Sequence, residues 1–342
     1  MTSKRVQVLI AQSLSEAQVE RIRACDQRIQ VTDGAAQMVR EEPGALRPGQ
    51  KAAPDRAGGA SLDDLLGDAE VVLGARRIPI NMASRAPQLR WVQLPMAGIE
   101  WFHTADIWTN ERIAITTAAG VSSPAVAEWV LTAMLWLAKD APRLWEAKER
   151  HEWSRFNLGQ LRGKTLGVIG YGAIGQEVAR LGAAFGMEVL AVKRRVRPDE
   201  RLPAWVLPLE RLHDVLPRCD YVVLTVPATD GTKGLIGAKE LALMRPSARL
   251  INIARGDVVD EAALIAALRK GRLAGAGLDV FQQEPLPKDS LLWELPNVFM
   301  SSHIAGLFEE YDDRLVDLFT ANLRRYLDGA PLKNAVDRAA GY

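Results

Sequence analysis

Three side chains near the ends of apolar runs in this 342-residue chain have the types that reduction of a 2-keto acid would use. Asn252-Ile253-Ala254-Arg255-Gly256 ends one run with an arginine, whose planar fork suits a carboxylate beside a carbonyl oxygen. Leu278-Asp279-Val280-Phe281-Gln282-Gln283-Glu284-Pro285-Leu286-Pro287 ends another in a loop carrying two acids. Ser301-Ser302-His303-Ile304-Ala305-Gly306 ends a third with one of only four histidines. Such a reduction needs a hydride donor, a proton for the developing alkoxide and a cation for the carboxylate. His303 titrates near working pH and could deliver the proton, and a neighbouring Glu284 would favour its charged form and raise its pKa. Arg255 would polarise the carbonyl and stabilise charge as it forms. Taken singly, Arg255 could equally be a salt-bridge partner and His303 a hydrogen-bonded core residue. No His-rich cluster suggests a metal.

The hydride donor has its own signature. In Thr165 to Gly175 an apolar run enters Gly170-Tyr171-Gly172-Ala173-Ile174-Gly175, a GxGxxG between a predicted strand and a predicted helix. Gly170 permits the turn, Gly172 lets backbone approach a pyrophosphate, and Gly175 lets the helix pack close to the strand. The helix N-terminus then faces the phosphates with free N–H groups. About twenty residues on, where an NAD site usually carries an acid for the ribose, stand Lys193-Arg194-Arg195. Three cations and no carboxylate favour NADP over NAD as the cofactor, against the plainer reading of a solvated basic run.

Alternating elements must hold these groups. Apolar runs at 165–169, 188–192, 221–226, 250–253, 277–280 and 298–301 alternate with predicted helices at 175–185, 209–216, 241–244 and 261–268. This is the pattern of a parallel sheet covered on both faces, an α/β class. Strands at 6–10, 71–73 and 89–94 and a helix at 15–25 predict a second α/β layer without a phosphate loop. Segment 34–67, rich in Gly, Pro, Ala and charge, predicts a surface excursion with a short helix at 62–66. Ser123-Pro124 marks a helix start. That helix, running towards Arg150 with Trp129, Trp136 and Trp145, is too apolar for an ordinary surface and predicts burial between domains and against a second subunit. A closing amphipathic helix is expected at 313–326.

Composition sets the bounds. Lys and Arg number 43 against 42 Asp and Glu, which disfavours nucleic acid or an acidic membrane as partner. Two cysteines make no disulfide framework or zinc site, consistent with the cytoplasm. The apolar run 129–138 is too short to span a bilayer.

GYGAIG, LINIARG, GLDVFQQEPLP and SSHIAG, in this order, resemble the D-isomer-specific 2-hydroxyacid dehydrogenases, over roughly Leu89 to Phe308. The resemblance implies two doubly wound parallel-sheet domains. A Rossmann-type dinucleotide domain, 122–307, would be inserted into a discontinuous flavodoxin-like substrate domain, 1–121 with 308–342. It assigns Arg255, Glu284 and His303 to catalysis, and Thr225, Val226, Pro227, Ala254 and Asp279 to the cofactor. Met96, Ala97 and Gly98 would hold the substrate carboxylate by backbone N–H groups. Trp101, Phe102 and Trp108 would either shape the pocket or simply pack. The resemblance further implies a homodimer built on the long helix. It points to the NADP-preferring glyoxylate and hydroxypyruvate reductases, with a dinucleotide-sensing or co-repressor-like protein as the alternative. Formate enzymes of the superfamily carry glutamine at the position of Glu284, which disfavours that chemistry.

Overall fold

A computed structural model describes residues 5–99, 102–194 and 205–339. The chain divides into two compact units, Met1–Val121 with Phe308–Tyr342, and Ser122–Leu307.

The first unit begins with β1 (Val6–Ile10), α1 (Glu16–Arg23), β2 (Ile29–Asp33) and α2 (Ala35–Glu41). It continues through α3 (Leu62–Asp68), β3 (Val71–Leu73), α4 (Met82–Arg85), β4 (Trp91–Gln93), α5 (Asp106–Thr109) and β5 (Ala114–Thr116). The strands pair in parallel in the order β2-β1-β3-β4-β5, so the order reverses between β1 and β3. The short strands are apolar throughout because both faces are covered: Val71, Val72, Leu73, Trp91 and Val92 are all fully buried.

Segment 34–67 differs from expectation. Its first part is α2, whose Ala35, Ala36, Gln37 and Met38 are buried. Asp33 starts this helix by accepting from the Ala35 N–H at 3.1 Å. Alanine and glutamine carry too little hydrophobic contrast for so short a helix to show as a period. The expected helix at 62–66 is α3, started by a Ser61–Asp64 capping box. Residues 46–57 form no regular element, yet they are tied down. Arg56 bonds the buried Asp33 at 2.7 Å, and Gln50 donates to the Ser13 carbonyl at 2.8 Å.

The second unit runs α6 (Ser123–Ala138), α7 (Ala141–Glu149), β6 (Thr165–Ile169), α8 (Ala173–Ala184), β7 (Glu188–Lys193) and β8 (Val206–Pro208). Then come α9 (Leu212–Val215), β9 (Tyr221–Leu224), α10 (Ala238–Leu243), β10 (Arg249–Asn252), α11 (Glu261–Arg269), β11 (Gly275–Leu278) and β12 (Val298–Met300). All seven strands are parallel, ordered β12-β11-β10-β9-β6-β7-β8, which is the dinucleotide-binding order with one further strand. Helix α12 (Tyr311–Leu327) returns the chain to the first unit, burying Leu315, Phe319 and Leu323.

The single long helix expected from 124 to 150 is two. Asp140, at φ 48°, breaks it between α6 and α7. Trp129 and Trp136 of α6 pack against Phe299 of β12, with ring centroids 5.3 and 5.5 Å apart. Much of the apolar surface of α6 is therefore used inside the second unit, against its own sheet. Helix α7 has no buried residue.

Candidate active site

The glycine loop lies between β6 and α8 and needs its glycines for two separate reasons. Gly170 sits at φ 108°, where L-residues are strained, and a Cβ there would come within 2.9 Å of the Thr225 backbone. A Cβ on Gly175 would lie 2.1 Å from the Gly170 carbonyl oxygen, so only glycine lets α8 start this close to the strand. Gly172, by contrast, faces open space, with no atom within 4 Å of where its Cβ would be. An exposed backbone edge thus stands at the start of a twelve-residue helix whose first N–H groups lack intrahelical acceptors. This is the cradle a pyrophosphate requires. Thr225, just after β9, locks the turn by donating its hydroxyl to the Gly170 carbonyl. Tyr171 packs edge-on to Trp205, with centroids 5.2 Å apart, and burial pushes its hydroxyl pKa up. Val226 is buried and Pro227 exposed beside Thr225.

At the end of β7, Lys193 is half-buried and Arg194 exposed, the latter reaching the Thr229 hydroxyl at 3.5 Å. Arg195 lies outside the described residues.

Arg255, Glu284 and His303 follow β10, β11 and β12, three strands that pair in that order. Buried Asn252 shapes the first loop: its amide donates to the Arg255 carbonyl at 2.9 Å and accepts from the Ala254 N–H at 3.0 Å. The Arg255 guanidinium donates to the Ala254 carbonyl at 2.7 Å. Ala254 itself is 4% exposed, so its side chain offers little surface. Gly256 sets the spacing between loops. A Cβ there would lie 1.9 Å from the Phe281 carbonyl carbon, which no other residue type could accommodate without moving a backbone.

Glu284 is held at both carboxylate oxygens. One accepts from the Phe281 N–H at 3.1 Å, and the other meets His303 Nδ1 at 2.8 Å. Pairing with a carboxylate puts the proton on Nδ1 and leaves Nε2 as the nitrogen available for exchange. His303 is 48% exposed at its side chain, Glu284 37%. His303 adopts φ 56°, and Asp279 accounts for this strained backbone. The Asp279 carbonyl accepts from the His303 N–H at 2.8 Å. Its buried carboxylate accepts from the Ile304 and Ala305 N–H groups at 2.9 and 3.0 Å and from the Ser301 hydroxyl.

Sequence reasoning missed Asn252, Gly256, Ser301 and this part of Asp279. Asn252 acts on the backbone of its own loop, whereas Gly256, Ser301 and Asp279 meet partners more than twenty residues away in the chain, and no spacing rule announces such a partner. Met96, half-buried, exposed Ala97 and half-buried Gly98 lie in the first unit, just after β4. Phe102 is buried in that unit's core and partly buried Trp108 packs against the same core, so packing accounts for both; Trp101 lies outside the described residues. Among the described residues no group of three or more His, Cys, Asp or Glu side chains is placed to hold a metal ion.

Residues 131–305 match the family model of the D-isomer-specific 2-hydroxyacid dehydrogenase NAD-binding domain. The chain belongs to the D-isomer-specific 2-hydroxyacid dehydrogenases. It is 37% identical over 259 residues to an (S)-sulfolactate dehydrogenase of Chromohalobacter salexigens, covering 75% of this chain and 84% of that one. It is 38% identical over 276 residues to a glyoxylate reductase of Thermococcus gammatolerans, covering 77% and 80%. A D-isomer-specific 2-hydroxyacid dehydrogenase of Xanthobacter autotrophicus Py2, solved with NADPH and MES, superposes with a TM-score of 0.78. That structure is 28% identical and covers 99% of this chain and all of its own. As a member of the family the chain is an NAD(P)-dependent oxidoreductase of the hydroxyacid dehydrogenase and glyoxylate reductase type, built from two parallel-sheet α/β units. Among the described residues of this dehydrogenase, no helix is long and apolar enough to cross a membrane.

Proposed function

We propose that this dehydrogenase interconverts a small 2-keto acid of the glyoxylate and hydroxypyruvate class with its D-2-hydroxy acid, using NADPH in preference to NADH. The observation that carries the catalytic assignment is the 2.8 Å pair between His303 Nδ1 and Glu284, on loops that end adjacent strands. A bound reduced nicotinamide supplies the hydride. The residues of the chain do the rest. His303 delivers a proton from Nε2 to the developing alkoxide, and Glu284 orients the ring through Nδ1. Arg255 grips the carboxylate and polarises the carbonyl, where an ion with planar geometry is worth most. Backbone N–H groups of Met96, Ala97 and Gly98 would also bind the substrate carboxylate.

Gly170 to Gly175, Thr225 to Pro227 and Ala254 would line the dinucleotide, with Asp279 acting at the nicotinamide end through the turn it fixes. Lys193 and Arg194 support the preference for NADPH, because they end β7 where an NAD site would carry an acid. The NADPH bound in the Xanthobacter relative agrees with that choice. Replacing Lys193 with Asp and Arg194 with Ser is expected to weaken NADPH at least tenfold more than NADH, measured by fluorescence titration. Equal weakening would remove both residues from the 2′-phosphate site.

We also infer a cytoplasmic homodimer, from the cysteine usage and from the apolar side chains exposed at and beyond α7: Leu144 at 44%, Trp145 at 62%, Trp153 at 93% and Leu158 at 47%. The deciding assay follows NADPH and NADH oxidation over a panel of glyoxylate, hydroxypyruvate and phenylpyruvate, with Arg255→Ala as control. Turnover of none of them, with NADPH binding intact, would point to a dinucleotide sensor instead.

A further inference from the structure

Segment 46–57 takes no part in the chemistry above, yet its side chains reach the first turn of α12. The Arg47 guanidinium lies over the Tyr311 ring, its Cζ 4.3 Å from the centroid, and its Nη2 meets the Asp312 carboxylate at 2.5 Å. This pair is shielded, with side-chain exposures of 15% and 20%. Gln50 donates to the same Asp312 oxygen at 3.4 Å, and the fully buried Gln12 donates to the other at 3.4 Å. Asp312 is therefore fixed from segment 46–57 and from the turn after β1 together. Its neighbour Tyr311 is 7% exposed and donates its hydroxyl to the Pro95 carbonyl at 2.6 Å. Burial pushes that hydroxyl up to about 12, so it remains a donor at any working pH. Pro95 opens the Met96-Ala97-Gly98 stretch, and the Met96 carbonyl in turn accepts from the Ala118 N–H at 3.0 Å. The exposed Ala97 side chain contributes little packing of its own, so the direction of this backbone depends on how its carbonyls are held.

We propose that Arg47 and Tyr311 are positioning residues for substrate binding: Arg47, through Asp312, fixes the first turn of α12 so that the Tyr311 hydroxyl sets the path of the 95–98 backbone. This rests on the reading that the N–H groups of 96–98 hold the substrate carboxylate. Recognition of a carboxylate by backbone N–H groups is intolerant of displacement, and a misplacement of about 1 Å can lower rates about 100-fold.

Two variants test the assignment, Tyr311→Phe, which removes only the hydroxyl, and Arg47→Met combined with Asp312→Asn, which removes the ion pair without stranding a buried charge. Hydrogen exchange by mass spectrometry is expected to show faster exchange in peptides covering 94–99 in both variants, with peptides of the second unit unchanged. Steady-state kinetics are expected to show KM for the keto acid raised about tenfold, with kcat and KM for NADPH within about twofold of the parent. A purely structural role would instead lower kcat and cofactor affinity in step with thermal stability, and that result overturns the proposal. Unchanged exchange at 94–99 overturns it as well, whatever the activity. Faster exchange with an unchanged KM overturns the link to substrate. If the parent turns over no keto acid, the functional reading fails, and the exchange data alone decide whether Tyr311 holds the loop.

Discussion

His303 sits in a backbone conformation that a non-glycine residue rarely adopts, and the side chain responsible is not the Glu284 that pairs with its ring. Asp279 accepts from three donors spread over 301–305, which turns the chain so that the imidazole projects towards Glu284. Local strain of this kind is of order 1–3 kcal/mol and persists only where the surroundings overdetermine it. Removing the imidazole should therefore leave the turn intact. His303→Ala is expected to lower kcat about 100- to 10,000-fold while NADPH affinity changes by less than about twofold. Retention of full turnover would exclude His303 as the acid. Gly256 is the other residue on which the site turns. Its Cβ would overlap the Phe281 carbonyl group, so Gly256→Ala must push the Arg255 loop away from the loop bearing Glu284. The expected loss is about 1–3 kcal/mol of stability or more, with a raised KM for the keto acid. Denaturant unfolding alongside kinetics would detect both, and an unperturbed variant would contradict the close approach.

The elements differ in how they are secured. Strands β6, β9, β10 and β11 are almost wholly buried, and they hold the glycine loop and the Arg255 and Glu284 loops at one end of a single sheet. Segment 46–57 has no such support and relies on polar ties. Asp55 accepts from the Gln37 amide, the Ala57 N–H and Arg40, each at 3.0 Å. These bonds, the Gln37 amide foremost, hold its carboxyl below the usual carboxylate range. A depressed folded-state pKa contributes stability that is complete above the unfolded value and disappears as pH falls through the folded one. Asp55→Asn is accordingly expected to lower the thermal midpoint at pH 7, with the difference closing below about pH 4. A difference that persists undiminished in acid would show that the carboxylate charge is not what matters there.

At the scale of the molecule, near-balanced charge leaves apolar surface as the main means of self-association. Leu144, Trp145, Trp153 and Leu158 are an exposed apolar set spanning α7 and the stretch that follows it. Changing Trp145 and Trp153 together to Glu is expected to convert a dimer to a monomer by light scattering. A parent that already runs as a monomer would sink the assignment. Asp140 turns the chain between α6, whose Trp129 and Trp136 pack on Phe299, and α7, which has no buried residue.

What the sequence by itself determined was wherever a local rule suffices. Three glycines spaced as GxGxxG between a strand and a helix, short apolar runs such as 165–169 and 250–253, and the order of four motifs were enough to read the α/β class, the dinucleotide loop and the family. What only the tertiary structure decided were relations between distant backbones. The tie of Arg56 to Asp33, the contact that forbids a side chain at Gly256, the grip of Asp279 on the His303 turn and the path from Arg47 to Pro95 all join residues far apart in the chain. Hydrophobic periodicity records burial against a sheet, but a hydrogen bond to a remote carbonyl leaves no period in either partner.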